Sequence, residues 1–201
     1  MTSRYVAIEG VDGAGKSTVS EALAESLREQ GHDVLVVREP GGTRAGEAIR
    51  EILLGPASQP DAWAEALLFA AARSQLASEL VGPALDEGRV VISDRSVYSS
   101  LAYQGGGRGL GVDRVREVNA AGLQGVWPGT VILLHLDPAA GLEREDEADR
   151  ISVEGIDLQR RVAKTYDELA EAEPDRFVVI DAAVGIDEVV RIATLALEKR
   201  W

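Results

Sequence analysis

The chain has 201 residues, 45% of them hydrophobic, and sets 34 acidic side chains against 21 basic ones for a formal net charge of −13. That apolar share supports a buried core and excludes disorder over most of the length, and one domain spanning residues 1–201 is the expectation. The acidity argues against a nucleic-acid binder, and the absence of cysteine removes disulfides, thiolate metal sites and cysteine nucleophiles. No apolar run approaches the roughly 20 residues that cross a bilayer. The opening MTSRYVAIEG lacks the basic and apolar regions of a signal peptide, so a cytoplasmic protein without membrane contact is expected.

In chain order, five short apolar runs read as buried strands: Tyr5–Ile8, Val34–Val37, Val90–Ile92, Val131–Leu134 and Phe177–Ile180. They are rich in β-branched residues and do not alternate with polar ones, the pattern of a sheet covered on both faces. Val19, Leu23 and Leu27, with Ala22 and Ser26, form one face of a helix ending at Gly31; further helices are expected over Ala62–Leu85, Leu158–Ala172 and Ile186–Leu197. Strands alternating with helices predict an α/β fold with a doubly wound, parallel five-stranded sheet. The run Gly105-Gly106-Gly107-Arg108-Gly109-Leu110-Gly111 is too glycine-rich for a helix interior and is expected to be a loop. Glu143–Asp149 is a dense charge cluster between a strand and a helix.

Gly10-Val11-Asp12-Gly13-Ala14-Gly15-Lys16-Ser17 fits G-x-x-x-x-G-K-[ST], after a predicted strand and at the start of a predicted helix. Its glycines let backbone N–H groups turn inward around phosphates. Lys16, expected to be a solvent-accessible loop cation, supplies charge at the β/γ-phosphates, and the Ser17 hydroxyl can meet Mg²⁺. The strand Val90–Ile92 leads into Ser93-Asp94-Arg95 at the edge where such sheets bind ligands. Asp94 could hold Mg²⁺ through water and Arg95 could neutralise a transferring phosphoryl group; a solvated Asp–Arg pair is the plainer alternative. Arg38, at the end of the second strand, is either a phosphate fork or a partner for Glu39. No guanine-reading N-K-x-D signature occurs, and the isolated His32 and His135 read as structural.

Four segments together resemble the bacterial thymidylate kinases, a family of P-loop nucleoside monophosphate kinases: Ile8–Thr18, Arg38–Thr43, Ala64–Arg73 and Ser99–Gln104. The likeness runs from about Tyr5 to the final helix. It implies transfer of the γ-phosphoryl group of Mg-ATP to dTMP, giving dTDP and ADP, in a homodimer. Residues Gly10 to Thr18 would then hold ATP. Arg38 and Arg95 would grip the acceptor phosphate, and Pro40 would follow a cis peptide bond. Phe69 would stack on thymine, Arg73 would donate to a thymine carbonyl, and Ser100 and Gln104, with Ser99 beside them, would complete the pocket. Tyr103 would fill the space of a ribose 2′-hydroxyl, and Asp12 would lie near the 3′-hydroxyl and the acceptor phosphate. The lid, about residues 141–153, would bring Arg144 and Arg150 to ATP.

The chain departs from that pattern in three places. Ser96 stands where the family has tyrosine, with Tyr98 two residues on. Gly13 replaces the P-loop arginine of some members, and the lid is acidic where a basic run is usual. The alternatives left by sequence are a kinase for another nucleoside monophosphate or a deoxynucleoside, and a nucleotide-binding regulator without turnover.

Overall fold

The computed structural model describes residues 4–55, 59–144, 151 and 154–201. Its sheet is parallel, with β1 (Tyr5–Gly10) at the centre, β3 (Val90–Asp94) and then β2 (Val34–Arg38) on one side, and β4 (Thr130–His135) and then β5 (Phe177–Asp181) on the other. All five expected strands are present, each a residue or two longer than its apolar run. β1 is buried along its whole length, as unbroken hydrophobicity requires. The edge strands β2 and β5 are only partly covered, and Val179 is exposed. Full burial of a valine or isoleucine stabilises by about 1.5–3 kcal/mol before entropy is charged, so Val6, Ile8, Ile92, Val131 and Ile132, none of them accessible, make the central strands the thermodynamic heart of the fold.

Register decides what the sheet delivers to its C-terminal edge. Ile8 of β1 is level with Asp94 of β3, which is level with Arg38 of β2. The residues next beyond that level, Glu9 leading into the glycine loop, Arg95 and Glu39, therefore emerge side by side, where order reverses between β3, β1 and β4.

Helix α1 (Lys16–Glu29) buries Val19, Ser20, Leu23, Ala24 and Leu27, with Ala22 and Ser26 at the margin, and packs on α9 (Ile186–Glu198). Thr43 caps α2 (Arg44–Leu54) through the Gly46 N–H, and Asp61 caps α3 (Ala62–Leu76) through the Ala64 N–H. The predicted helix over 62–85 is one continuous run: α3 widens into a π-helical turn, Ala77–Val81, and continues as α4 (Gly82–Asp86). Pro83 has no N–H for the ladder, and the widened turn lies where that bond is missing.

Only the second half of the glycine run, from Arg108, is the loop its composition suggests. Helix α5 (Val97–Ser100) continues as a second π-helical turn, Leu101–Gly107, and only from Arg108 does the chain turn away, to enter α6 (Val112–Leu123). Packing explains it. A Cβ on Gly106 would overlap the Thr165 side chain of α8 (Ile156–Ala172), and one on Gly107 would come 2.8 Å from Leu158 Cδ1. Here glycine admits a neighbouring helix and does not mark a turn. Helix α7 (Pro138–Glu143), capped by Asp137, leads into the acidic segment. His32 packs edge-on to Trp201 with ring centres 5.6 Å apart, while His135 ends β4 with an exposed ring 3.6 Å from Asp167. Among the described residues no helix is long and apolar enough to cross a membrane, and no cluster of His, Asp or Glu is arranged for a metal ion.

Candidate active site

A cleft of about 890 Å³ opens at the C-terminal edge of the sheet, lined by the glycine loop, the ends of β2 and β3, and one face each of α2 and α3. Lys16 lies on it but is only 7% exposed, which corrects the expectation of an accessible loop cation. As the first residue of α1 it curls back, and its Nζ donates to the Val11 carbonyl at 2.7 Å. Burial and the Arg95 charge lower its pKa to about 8, against the pull of Asp12, Asp94 and Glu9. Ser17 Oγ donates to Asp94 Oδ2 at 2.5 Å, so the two residues named for Mg²⁺ sit in contact. An alcohol and a carboxylate make an oxygen-only donor pair, which fits a hard cation beside the phosphate loop.

Asp12 is the hub. Its Oδ1 accepts from Arg95 Nη2 at 2.5 Å and from the Tyr103 hydroxyl at 2.7 Å, its Oδ2 accepts from Gln159 Nε2 at 2.5 Å, and its N–H donates to Gln159 Oε1 at 3.3 Å. Burial alone would raise the Asp12 pKa, but Arg95, Lys16 and the Tyr103 hydrogen bond outweigh it and hold the carboxylate below its usual range. Arg95 has φ +68°, a left-handed conformation that costs a non-glycine residue on the order of 1 kcal/mol or more. Its guanidinium lies 5.2 Å from the Tyr103 ring centre. Gly13, at φ +73°, would drive any Cβ into the Gly141 carbonyl of α7, so the missing P-loop arginine has a steric reason.

On the acceptor side, the peptide bond before Pro40 is cis, as the resemblance implied. Arg38 pairs with Glu47 at 3.2 Å and not with Glu39, which corrects that alternative. Glu39 belongs to Arg73: Arg73 Nε donates to Glu39 Oε2 at 2.6 Å, with both side chains buried. Arg73 also donates to Ser100 Oγ, Asn119 Oδ1 and the Ser96 carbonyl, leaving one N–H by donor count. Burial pushes Glu39 up to about 7, with Arg73 pulling the other way. Phe69 is half-buried: it packs against the core and also lines the cleft. Ser99, Ser100, Tyr103 and Gln104 all line it too.

Glu9, fully buried, escaped sequence reasoning. It accepts from Ser96 Oγ, Ser99 N, Ser99 Oγ and the Tyr166 hydroxyl at 2.6–3.2 Å. That explains Ser96: a small hydroxyl fits between Glu9 and the α5 N-terminus, where it also accepts from the Tyr98 N–H. Tyr98 does not line the cleft. It is inaccessible, edge-on to Phe177, with its hydroxyl on Glu173 at 2.6 Å. Arg50, also missed, lines the cleft and donates to the Pro40 carbonyl at 2.9 Å. Arg144 reaches the cleft from the end of α7, whereas Arg150 and most of the acidic segment lie outside the described residues.

A parallel sheet of this order, with a phosphate loop after its central strand and an arginine-lined cleft beside it, defines a P-loop nucleotide kinase. The family model for thymidylate kinase matches residues 8–192. A thymidylate kinase of Geobacillus sp. (strain WCH70) is 43% identical over 98% of this chain and 97% of its own, and that of Deinococcus radiodurans is 43% identical with the same coverage. The crystal structure of thymidylate kinase from Ehrlichia chaffeensis superposes with a TM-score of 0.81 at 29% identity, over 96% of this chain and 97% of that one. The chain belongs to the thymidylate kinase family.

Proposed function

We propose that the chain transfers the γ-phosphoryl group of ATP to dTMP, giving dTDP and ADP. A phosphate oxygen of dTMP attacks the γ-phosphorus, the bond to the β,γ-bridging oxygen breaks, and ADP leaves with that electron pair. The observation that carries the reading is the contact of Asp12 with both Arg95 and Tyr103: it joins the phosphate loop to the side of the cleft that Arg95 and Tyr103 line, within hydrogen-bond distance. The acceptor phosphate is already a nucleophile, so the residues position and neutralise. Residues Gly10 to Thr18 hold the donor phosphates, Lys16 takes the β/γ side, and Arg38 and Arg95 grip the acceptor phosphate. Phe69, Arg73, Ser99, Ser100 and Gln104 hold the base and its surroundings. Ser17, and Asp94 through water, would hold Mg²⁺, whose chemistry is charge neutralisation on the β- and γ-oxygens.

A homodimer belongs to the same reading, and exposed Ile52 and Leu67 on the contacting helices α2 and α3 offer apolar surface for it. The test is product formation from ATP with dTMP, dUMP, dCMP, dGMP and UMP, with sedimentation of the same sample. The reading expects dTDP as the main product from a two-chain species; a protein that binds dTMP and ATP but forms no dTDP refutes it.

A further inference from the structure

Gln104 and Arg108 flank Gly105, Gly106 and Gly107, and both reach one buried carboxylate that the proposed reaction does not use. Glu65, in the first turn of α3, is 1% exposed. Its Oε1 accepts from Gln104 Nε2 at 2.8 Å and from Arg108 Nε at 3.0 Å, and its Oε2 accepts from Arg108 Nη2 at 2.9 Å. We infer that Glu65, clamped by Arg108, fixes which end of the Gln104 amide faces the cleft, and that this orientation selects pyrimidines carrying an N–H beside a carbonyl over amino-pyrimidines.

The argument is one of donors and acceptors. A side-chain amide has two faces of similar shape and opposite hydrogen-bonding sense. With both oxygens of Glu65 accepting from a guanidinium, the carboxylate offers Gln104 only lone pairs, and the amide must turn its NH₂ inward. The reversed amide would set two acceptors against each other inside the protein, an arrangement that costs far more than a hydrogen bond in water returns. Arg108 is anchored on its other side by Glu154, to which both Nη1 and Nη2 donate, so the clamp does not swing away. Gln104 lines the cleft and Glu65 does not, and among the described residues no protein donor reaches Gln104 Oε1. The oxygen is therefore the end offered to a ligand.

Arg73 lines the same cleft and can only donate. A donor beside an acceptor matches the carbonyl and N–H of a thymine or uracil ring. Cytosine reverses both, with an amino group in place of the carbonyl and a bare nitrogen in place of the N–H. Glu65 is thus a positioning residue acting through Gln104. It leaves the 5-methyl group to other contacts. The inference rests on the proposed reading that the base lies along Phe69, Arg73 and Gln104.

The decisive comparison uses dTMP and 5-methyl-dCMP, which share methyl, sugar and phosphate. The ratio of their kcat/KM values is measured for the wild-type chain, Glu65→Gln, Gln104→Leu and the double variant. The Gln at position 65 can accept or donate and so frees the amide. Glu65→Gln should lower the preference for dTMP by roughly tenfold or more, mainly through KM for dTMP, with KM for ATP unchanged. In the Gln104→Leu background the same change should move the ratio no further. A folded Glu65→Gln protein with the wild-type ratio, or an equal fall without Gln104, overturns the inference. Should Glu65→Gln not fold, Glu65→Asp keeps the charge for Arg108 while withdrawing the oxygen from Gln104, and the same shift is required of it. If the wild-type chain makes no dTDP, the proposed function fails and this inference with it; if it makes dTDP and the variant ratio does not move, this inference alone fails.

Discussion

At the scale of single residues, Lys16 is held where its charge is costly. A lysine whose pKa falls from 10.5 to about 8 on folding opposes the fold whenever it is charged. The sign follows: the cost is complete below pH 8 and disappears as pH rises through 10.5. Lys16→Met should therefore be no less stable than wild type at pH 7 by thermal unfolding, while turnover falls on the order of 100-fold or more through loss of a preorganised cation. ATP binding near pH 9 should also draw a proton onto Lys16, visible as a dependence of the binding enthalpy on buffer; a variant that keeps its turnover, or wild type without such uptake, counts against the role. Tyr103 separates shape from hydrogen bonding. Its ring stands in the cleft while its hydroxyl serves Asp12. Tyr103→Phe should keep discrimination against the ribonucleotide of thymine yet lower kcat, because Asp12 loses a donor. Tyr103→Ala should lower the ratio of dTMP to ribonucleotide efficiency; an unchanged ratio would reduce Tyr103 to packing.

Among the elements, the π-helical turn Leu101–Gly107 is the least expected and the most constrained. It lies against α6 and α8, and its glycines are where those helices enter. Gly106→Ala should destabilise by about 1–3 kcal/mol, the usual cost of overpacking, because the new methyl meets Thr165 close to its backbone. Gly109→Ala meets nothing within 4 Å and bears only the strain of φ +72°, so it should cost less. Chemical denaturation of the two variants decides this, and equal losses would mean the packing account is wrong. The same elements show what the sequence discloses. Buried parallel strands announce themselves as apolar runs, and the phosphate loop is legible because its working parts are contiguous. Composition misread the glycine run because glycine serves close approach as well as turning, and the difference lies in Thr165, 59 positions from Gly106 in the chain. The pairs that shape the cleft are also far apart in the chain: Glu39 with Arg73 is separated by 34 residues, Asp12 with Gln159 by 147 and Glu9 with Tyr166 by 157. Asp12 and Arg73 stand in recognisable segments, but no local pattern marks the partners that the fold brings to them, so Glu9, Glu65 and Gln159 became visible only in the fold, while Lys16 was found and its burial was not.

The whole molecule carries a net charge of −13 and must admit two polyanions. Three of the cations that line its cleft are already paired with carboxylates: Arg38 with Glu47, Arg73 with Glu39 and Arg95 with Asp12. To hold a phosphate, Arg38 and Arg95 must each give up a carboxylate for it, and the net gain from such an exchange is smaller than from an unpaired charge. Arg144 differs. Among the described residues it meets no carboxylate, and its Nη1 donates to the Ala182 carbonyl at 3.3 Å. Its helix α7 touches the phosphate loop through the Gly13–Gly141 contact, which holds the end of α7 beside that loop. Arg144 is thus placed to bring charge to ATP without first giving up an ion pair within the described structure. Arg144→Ala should lower kcat roughly tenfold or more with KM for dTMP nearly unchanged, because the charge acts on the donor side. Arg150→Ala, following the family lid pattern, should act in the same direction and less strongly. Steady-state kinetics on both single variants and the double variant distinguish an active lid from a passive cover. Should all three keep wild-type kcat, Lys16 and Arg95 carry the transferring charge alone, and the acidic segment contributes only by excluding water.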